Sequence, residues 1–399
     1  MRAADRPYRA RMSRRGIATA LFTVAALTAV TVVGTPVSAA DPTALPADHF
    51  RLAESPYNPV IARLDDVLPG ASMSDVLASA NRSATACSAG ATHEVAAFCW
   101  NSGDNGTADW YPQGVTSTAD AYGNGTYEGE TALFVSWYYR HDDPDKGARI
   151  SFVDLSTPSA PAYRHVLLVE PYPNSAGHPD FRPVTVHAGG IFAYGHFLYV
   201  ADTWGGFRAF DLRHLWQVST GDKNRIGRQS DGTYHAFDYR YVLPQAHTFT
   251  ASTTDGTARL RYSAASLDRT STPDSVVVPE YNADGTGARV VRFPIDYTDR
   301  KFKESADGYT HATEAYRVDI ASMQGATAID GTFFVSASAG SSSRGSVYTF
   351  TATGGPTRHA GAAPVGPEDL SYWGPRGQLW GLSEYPDRRA VYAVDPSAF

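Results

Sequence analysis

Six side chains that could bind a metal ion or transfer a proton recur at the ends of short apolar runs. They are His187, Asp202, Glu280, Glu368, Asp369 and Glu384. Converging carboxylates bind Ca²⁺ or another divalent metal, and a neutral imidazole beside them can accept a proton. A like-charged neighbour also raises the pKa of a carboxyl group, which suits that group to donate a proton. These residue types therefore predict either a divalent-metal site or acid–base chemistry.

Glu368 and Asp369 are the strongest candidates, because they are adjacent at the start of an apolar run. Charged side chains are rarely buried without partners, so core packing does not explain two of them there. In a metal-dependent hydrolase or lyase, four carboxylates would hold the ion: Asp202, Glu280, Glu368 and Asp369. The ion would polarise a carbonyl or lactone oxygen. The catalytic residues would be His187, Glu368 and Asp369, with His187 as the general base.

Other polar and aromatic side chains at equivalent places predict ligand binding. They are Gln113, Gln324, Glu384 and Trp204. Amides and carboxylates hydrogen-bond to hydroxyl groups, and an indole offers a flat face with one polar edge. A plain structural explanation also fits, since acidic residues often accept backbone hydrogen bonds in turns. The predicted ligand is a carbohydrate or another small molecule.

Short β-strands are the elements that would position these residues. A pattern of four β-prone runs separated by polar turns recurs five times between about 111 and 399, although the fifth cycle has only the first three runs. The many Gly, Pro and aromatic residues suit a turn-rich all-β protein. The first runs span 112–118, 187–192, 261–267, 324–329 and 368–372. The second runs span 132–139, 196–202, 275–281, 332–338 and 378–384. The rhythm predicts a five-bladed β-propeller, with a two-sheet sandwich or a sixth blade as alternatives.

In a propeller the first strand of each blade lines a central channel. Because adjacent strands are antiparallel, the starts of the first runs and the ends of the second runs lie on one face. We therefore expect the candidate residues to surround one channel mouth. Concave polar surfaces of this kind are common ligand sites.

The fifth cycle lacks a fourth strand, which would leave a sheet edge open. Residues 93–100 form a β-prone run that could fill the gap, so we expect an N-terminal strand to close the ring. This gives a propeller over residues 93–399. Residues 40–92 form a preceding helical and loop segment, because apolar residues recur at helical spacing between 58 and 83.

Residues 1–39 have the pattern of a signal peptide. An arginine-rich stretch precedes an apolar run from Ile17 to Val33, and Val37-Ser38-Ala39 resembles a cleavage site. The run is short for a membrane anchor and ends at that site, so we predict a secreted protein with no stable membrane anchor. Ser13-Arg14-Arg15 partly matches a twin-arginine signal, so twin-arginine export and general secretion both fit.

Charge and cysteine content narrow the possible partners. Loss of six arginines and one aspartate with residues 1–39 takes the net charge from −7 to −12. This argues against nucleic-acid binding, which requires a basic surface.

The two cysteines, Cys87 and Cys99, lie in the exported part and predict one disulfide. We expect a monomer that binds a small molecule or carbohydrate.

Two segments resemble LVIVD-type repeats, which build propellers in secreted bacterial proteins. They are Ile150–Pro161 (ISFVDLSTPSAP) and Tyr199–Leu212 (YVADTWGGFRAFDL). The resemblance covers about residues 130–215, and the later cycles depart from it. The whole chain resembles a group of uncharacterised exported actinobacterial β-propeller proteins. This resemblance implies the fold and assigns no catalytic residues, because the repeat family shares no single reaction.

The sequence therefore favours a secreted β-propeller that binds a carbohydrate or cell-wall component at its channel mouth. A divalent-metal-dependent hydrolase or lyase is the first alternative, by analogy with lactonase propellers. An extracellular protein-interaction scaffold is the second. Whether the protein is an enzyme is left open by the sequence.

Overall fold

The computed structural model describes residues 40–142 and 144–399, and shows a mostly β chain. The predicted signal peptide lies outside the described residues. No helix among the described residues is long and apolar enough to cross a membrane.

Five antiparallel units of four strands each form the main part of the β structure, and shorter strands add to them. Unit 1 contains Trp110–Ser117, Ala132–Tyr139, Ala148–Asp154 and Ala162–Pro173. Unit 2 contains Ile191–Tyr194, Phe197–Asp202, Gly206–Asp211 and Tyr241–Thr253. Unit 3 contains Ser266–Asp268, Ser275–Pro279, Arg289–Asp296 and Glu314–Arg317. Unit 4 contains Met323–Ile329, Thr332–Ala337, Ser346–Thr351 and Gly354–His359. Unit 5 contains Pro367–Trp373, Gln378–Ser383, Ala390–Val394 and Glu94–Cys99.

The first strands of the units form a closed ring. Each contacts the first strand of the next unit, and that of unit 5 contacts that of unit 1. Two glycines permit this close approach. A Cβ atom on Gly190 would lie 2.1 Å from the backbone nitrogen of Ala265, and one on Gly325 would lie 2.7 Å from the backbone of Asp369. The arrangement is that of a β-propeller, as the sequence predicted.

The last unit is completed by a strand from the N-terminal side. Glu94–Cys99 pairs antiparallel with Ala390–Val394, which agrees with the predicted closing strand. The short strand Thr85–Ala86 continues this sheet. Cys87 and Cys99 form a disulfide with a Cα–Cα distance of 5.8 Å, so the predicted bridge is confirmed and connects these two strands.

The N-terminal segment packs along the outer strands. Helices span Val60–Asp65 and Met73–Ala78, and two shorter helices span Ser102–Gly106 and Thr118–Ala121. Four 3₁₀ turns span Ala47–His49, Leu212–His214, Gly374–Arg376 and Pro396–Ala398. The remaining short strands are Thr43–Ala44, Phe50–Glu54, Gly70–Ala71, Arg82–Ser83, Pro179–Pro183, Leu215–Gln217, Ile226–Arg228, Tyr234–Ala236, Lys301–Phe302 and Thr310–His311. Phe50–Glu54 adds to the outer edge of unit 2, and Thr43–Ala44 adds to unit 3.

Units 1 and 2 differ from separate blades because their outer strands pair with each other. Leu167, Leu168 and Val169 pair in parallel with Val242–Pro244. The outer strand of unit 2 runs to Thr253, because Phe50–Glu54 provides a partner for its polar second half. The first strand of unit 3 covers only Ser266–Asp268, so the predicted run 261–267 is mostly irregular backbone.

Candidate ligand site at the channel mouth

A polar cavity of about 460 Å³ opens where the first strands of the units begin. All five units contribute side chains to it, so it lies on the axis of the ring. Among the residues around it are Gln113, His187, Arg261, Ser263, Gln324, Glu368 and Glu384. Hydroxyl groups from Thr203, Ser322 and Ser338 and phenol rings from Tyr281 and Tyr385 complete the wall. A cavity with this lining can offer hydrogen bonds from several directions to one small polar ligand.

Five of the predicted site residues come together in this cavity. They are Gln113, His187, Gln324, Glu368 and Glu384. Gln324 and Glu368 are each the second residue of a first strand, Gln113 is the fourth residue of its strand, and His187 precedes the strand that begins at Ile191. Glu384 directly follows the second strand of unit 5. The antiparallel pairing of first and second strands therefore brings them to one face.

Glu368 and Glu384 both line the cavity, and the charge of Glu384 acts on the pKa of Glu368. Each member is held by an amide. Gln324 Nε2 donates to Glu368 Oε1 at 3.1 Å, and Gln113 Nε2 donates to Glu384 Oε2 at 3.3 Å. Gln113 is also fixed by the backbone carbonyl of Pro112 at 2.9 Å. The amides hold both carboxyl groups in defined positions.

The two carboxyl groups differ in what acts on their pKa values. Burial raises the pKa of Glu368 well above its usual range, and the charges of Glu384 and Asp369 raise it further. Burial also raises the pKa of Glu384, but hydrogen bonds from Tyr385 and Gln113 favour its ionised form. Glu368 therefore holds a proton more readily than Glu384 does.

His187 lies at the exposed rim of the cavity with its ring stacked on Tyr138. The ring centroids are 4.5 Å apart and the planes differ by 25°. Desolvation by the surrounding walls lowers the pKa of His187, and the positive charge of Arg261 lowers it further. The imidazole is therefore neutral at pH 7 and can accept a hydrogen bond or a proton.

Arg261 brings a positive charge to a cavity that also contains two acids. Its guanidinium lies over the Tyr281 ring at 4.9 Å and near the Trp204 ring at 5.9 Å. Its Nε atom is buried and has no hydrogen-bond partner among the described residues. Stacked arginines of this kind keep a fixed plane that can bind a ligand oxygen.

Asp369 lies deeper in the channel than the lining residues. Its side chain is fully buried, and its Oδ2 atom accepts hydrogen bonds from the backbone nitrogens of Val115 at 3.3 Å and Ile191 at 3.2 Å. Its Oδ1 atom has no partner among the described residues. Burial raises the pKa of Asp369 well above its usual range. Asp369 therefore connects units 5, 1 and 2 and does not line the cavity.

Asp202 and Glu280 are held by arginines. Asp202 lies 3.0 Å from Arg208, and Glu280 lies 2.6 Å from Arg289. In the part of the chain that the structure describes, no three His, Cys, Asp or Glu residues are arranged to hold a metal ion. The four predicted metal ligands thus occupy four separate environments. Trp204 is 55% exposed beside Arg261, at the edge of the cavity.

Four lining residues that the sequence prediction missed lie just beyond the ends of second strands. Thr203, Tyr281 and Tyr385 directly follow the predicted residues Asp202, Glu280 and Glu384, and Ser338 follows the strand Thr332–Ala337. Successive residues on a strand point to opposite faces, so an error of one position changes which side chain faces the cavity. Glu384 lines the cavity together with Tyr385, whereas Asp202 and Glu280 do not line it, so the strand ends were the signal that located the site.

Comparisons with known proteins leave the family unassigned. No protein-family model matches the chain, and no curated protein is detectably similar to it in sequence. Several solved structures have a distant similarity of shape. A gluconolactonase from Xanthomonas campestris is 13% identical, with 83% of this chain and 89% of that chain covered and a TM-score of 0.32. A glucose dehydrogenase is 11% identical, with 66% and 79% covered and a TM-score of 0.33.

Sqt1 from Chaetomium thermophilum is 8% identical at a TM-score of 0.31, with 73% of this chain covered. This chain spans only 58% of the length of that protein. Similarities at this level assign neither ligand nor reaction. The function must therefore be inferred from the cavity at the channel mouth.

Proposed function

We propose that this protein is a secreted five-bladed β-propeller that binds a small hydroxyl-rich ligand, such as a carbohydrate or cell-wall fragment, at its channel mouth. The five four-stranded units and their ring of first strands support the blade count. The disulfide supports an extracellular location, because such bonds persist in oxidising compartments. The convergence of side chains from all five units on one cavity carries the functional proposal.

The chemistry of the lining favours a neutral polyhydroxylated ligand. Amides can donate to and accept from vicinal hydroxyl groups, and ionised carboxylates accept from them. Gln113, Gln324 and Glu384 are already fixed by neighbours. Tyr281 and Tyr385 add aromatic rings to the lining. Aromatic rings pack against the apolar faces of sugar rings while their hydroxyl groups bind water or ligand.

Direct binding measurements test this function. The purified protein would be screened on a glycan array and titrated with N-acetylglucosamine oligomers, neutral hexoses and soluble peptidoglycan fragments. We expect one of these glycans to bind, and Gln324→Ala to weaken that binding. Gln217→Ala, a change at an amide far from the cavity, is the matched control and should leave binding unchanged. Absence of binding to every glycan, or equal loss in both variants, would contradict the proposal.

The Glu368–Glu384 pair favours a second candidate function, a lactonase-like hydrolase or lyase. A neutral carboxylic acid beside a carboxylate can donate a proton to a leaving oxygen while its partner accepts one. His187 is neutral and lies in the same cavity, so it could also act as a base. A divalent ion could assist by polarising the substrate, and the carboxyl groups of Glu368 and Glu384 are its candidate ligands in the cavity.

Turnover assays separate this candidate from simple binding. Glucono-δ-lactone and other sugar lactones would be assayed with and without added Ca²⁺, and again after chelation. Turnover that is lost in Glu368→Gln would establish an enzyme. If a glycan binds but no lactone or ester is turned over in either condition, ligand binding is the only function that remains supported.

A further inference from the structure

A second cavity, of about 380 Å³, lies between the outer part of unit 1, the start of the last strand of unit 2 and the N-terminal segment. Its lining is strongly basic, although the whole chain is acidic. Six cationic side chains contribute to it: Arg82, Lys146, Arg149, Arg164, Lys223 and Arg240. Only two carboxylates, Asp109 and Asp238, share the lining. We call this cavity the basic cleft.

One buried carboxylate behind the cleft, that of Asp104, forms ion pairs with two of the six cations. Asp104 lies 3.0 Å from Arg82 and 3.1 Å from Arg149, and it also accepts a hydrogen bond from Tyr163 at 2.7 Å. Although burial opposes ionisation, His165 and Arg149 hold the pKa of Asp104 well below its usual range. Asp104 therefore fixes Arg82 and Arg149 in place and cannot neutralise the others.

Arg149 is held in a fixed position and has a donor atom that could bind an additional partner. It is 96% buried, with its guanidinium between two indoles, 4.4 Å from the Trp110 ring and 4.9 Å from the Trp137 ring. NH1 donates to the Tyr239 hydroxyl at 3.1 Å. Nε has no hydrogen-bond partner among the described residues. A guanidinium stacked in this way has a fixed plane and a fixed charge.

Arg164 and Arg240 approach each other across one aromatic ring. Each guanidinium lies 5.3 Å from the centroid of Tyr241. Arg164 donates to the Ser79 carbonyl, and Arg240 donates to Gln217 Oε1 at 3.2 Å. Among residues 40–142 and 144–399, no carboxylate forms an ion pair with either guanidinium. Two like charges held close together without a counter-charge favour binding of an anion.

The other two cations and the aromatic residues define the shape of the ligand. Lys146 lies 5.6 Å above the Phe237 ring, and Lys223 extends to the exposed rim. Trp110, Phe237 and Tyr239 form an apolar wall beside the charges. A ligand with a compact anionic group and an attached ring would fill both parts of the cleft.

We propose that the basic cleft binds the phosphate group of a small phosphorylated molecule. Arginine is the residue best suited to a tetrahedral oxyanion, because its donors can contact two oxygens at once. Phosphate brings up to two negative charges at neutral pH, which matches Arg164 and Arg240, whose guanidinium groups form no ion pair with a carboxylate among the described residues. The site is separate from the channel mouth and does not depend on the function proposed for it.

Titration of the full-length protein at low ionic strength tests this site, with inorganic phosphate and glucose 6-phosphate as probes. We expect both to bind and glucose 6-phosphate to bind more tightly, because only the ester also contacts the aromatic wall. Equal affinities would assign the site to the free ion and overturn the proposal of a phosphorylated molecule. Glucose without phosphate should not compete with either probe.

Charge-removing variants locate the binding. The Arg164→Gln/Arg240→Gln variant should weaken phosphate binding by about tenfold or more, because each charge-assisted hydrogen bond contributes about 1.5–3 kcal/mol. Lys303→Gln, a change at an exposed lysine elsewhere, should leave the affinity unchanged. If the double variant does not fold, Lys223→Gln at the exposed rim should give a smaller loss of the same kind. No binding to the native protein, or equal loss in the control, would overturn the proposal.

Discussion

Glu368 and Glu384 are held in one cavity by two amides, Gln324 on Glu368 and Gln113 on Glu384, and the charge of Glu384 raises the pKa of Glu368. The two residues lie at the start and just beyond the end of neighbouring strands of unit 5. They are chemically equivalent side chains in different environments, because hydrogen bonds from Tyr385 and Gln113 oppose the rise in the pKa of Glu384, whereas neighbouring charges add to the rise at Glu368. The difference gives each residue a distinct predicted role.

Replacing each glutamate by glutamine should therefore have unequal effects on ligand binding. Glu368→Gln should retain glycan binding, because an amide at 368 can still accept from Gln324. Glu384→Gln should weaken binding about tenfold or more, since it removes the charged acceptor. Titration with a glycan that binds the native protein measures both. Glu304→Gln, a change at an exposed acid, is the control, and equal loss in the two cavity variants would contradict the assignment of the proton.

Asp120 predicts a pH-dependent stability. It is buried in the channel, where it accepts hydrogen bonds from the hydroxyl groups of Thr116 at 2.6 Å and Ser371 at 2.9 Å. Burial raises its pKa from 3.8 to about 6, although these hydrogen bonds partly oppose the shift. The folded state therefore binds the proton more tightly than the unfolded state. The stability that this provides is complete below pH 3.8 and is lost as the pH rises through about 6.

The unfolding free energy should fall by roughly 3 kcal/mol between pH 4 and pH 7, which follows from the size of the shift in the pKa of Asp120. Urea denaturation at several pH values measures it. Asp120→Asn keeps an acceptor for Thr116 and Ser371 but cannot ionise. The difference in unfolding free energy between the native protein and Asp120→Asn should therefore change with pH in this range. A pH-independent difference would show that Asp120 is not the titrating group.

The disulfide should stabilise the closing sheet. Cys87 and Cys99 enclose a short segment, because they are 12 positions apart in the sequence. A bridge over such a loop typically contributes about 3 kcal/mol. The Cys87→Ser/Cys99→Ser variant should lower the unfolding free energy by about this amount and still fold, because Thr85 and Ala86 keep their strand partners. An unchanged urea midpoint in the variant would mean that the bridge adds no stability.

The closing strand itself can be tested with a matched pair of substitutions. Phe98 is buried between the sheets, whereas Val95 on the same strand is 52% exposed. Phe98→Ala should lower the unfolding free energy by about 3–5 kcal/mol, since it leaves a cavity in the core. Val95→Ala should change it by less than about 0.5 kcal/mol. Similar effects from both variants would contradict the role of this strand in closing the ring.

The strand pattern predicted most of the first-run residues that share the mouth. Gln113, His187, Gln324 and Glu368 come from four different units and all line one cavity. They converge because the first strands of all units surround the same channel. Asp369, which was predicted with them, contacts the backbone of units 1 and 2 instead. The predictions for second-strand residues were less accurate, because an error of one position places the side chain on the other face of the sheet.

The environments of individual acids could not be predicted from the pattern. Asp202 and Glu280 are neutralised by Arg208 and Arg289, and these pairs depend on the register of each hairpin. Asp369 differs from its neighbour Glu368 only by facing inward between strands of units 1 and 2. The basic cleft joins segments that are far apart in sequence, so no local motif indicates it.

The pairing of Glu94–Cys99 with Ala390–Val394 also constrains the order of events during synthesis. The closing strand is made well before its partner, because the other units lie between the two strands in the sequence. Until the partner is made, the closing strand and the edge of the growing sheet are both unpaired, and unpaired edges promote aggregation. The ring therefore cannot close before residues 390–394 have been made, and their loss would reopen the ring at the seam that the disulfide borders.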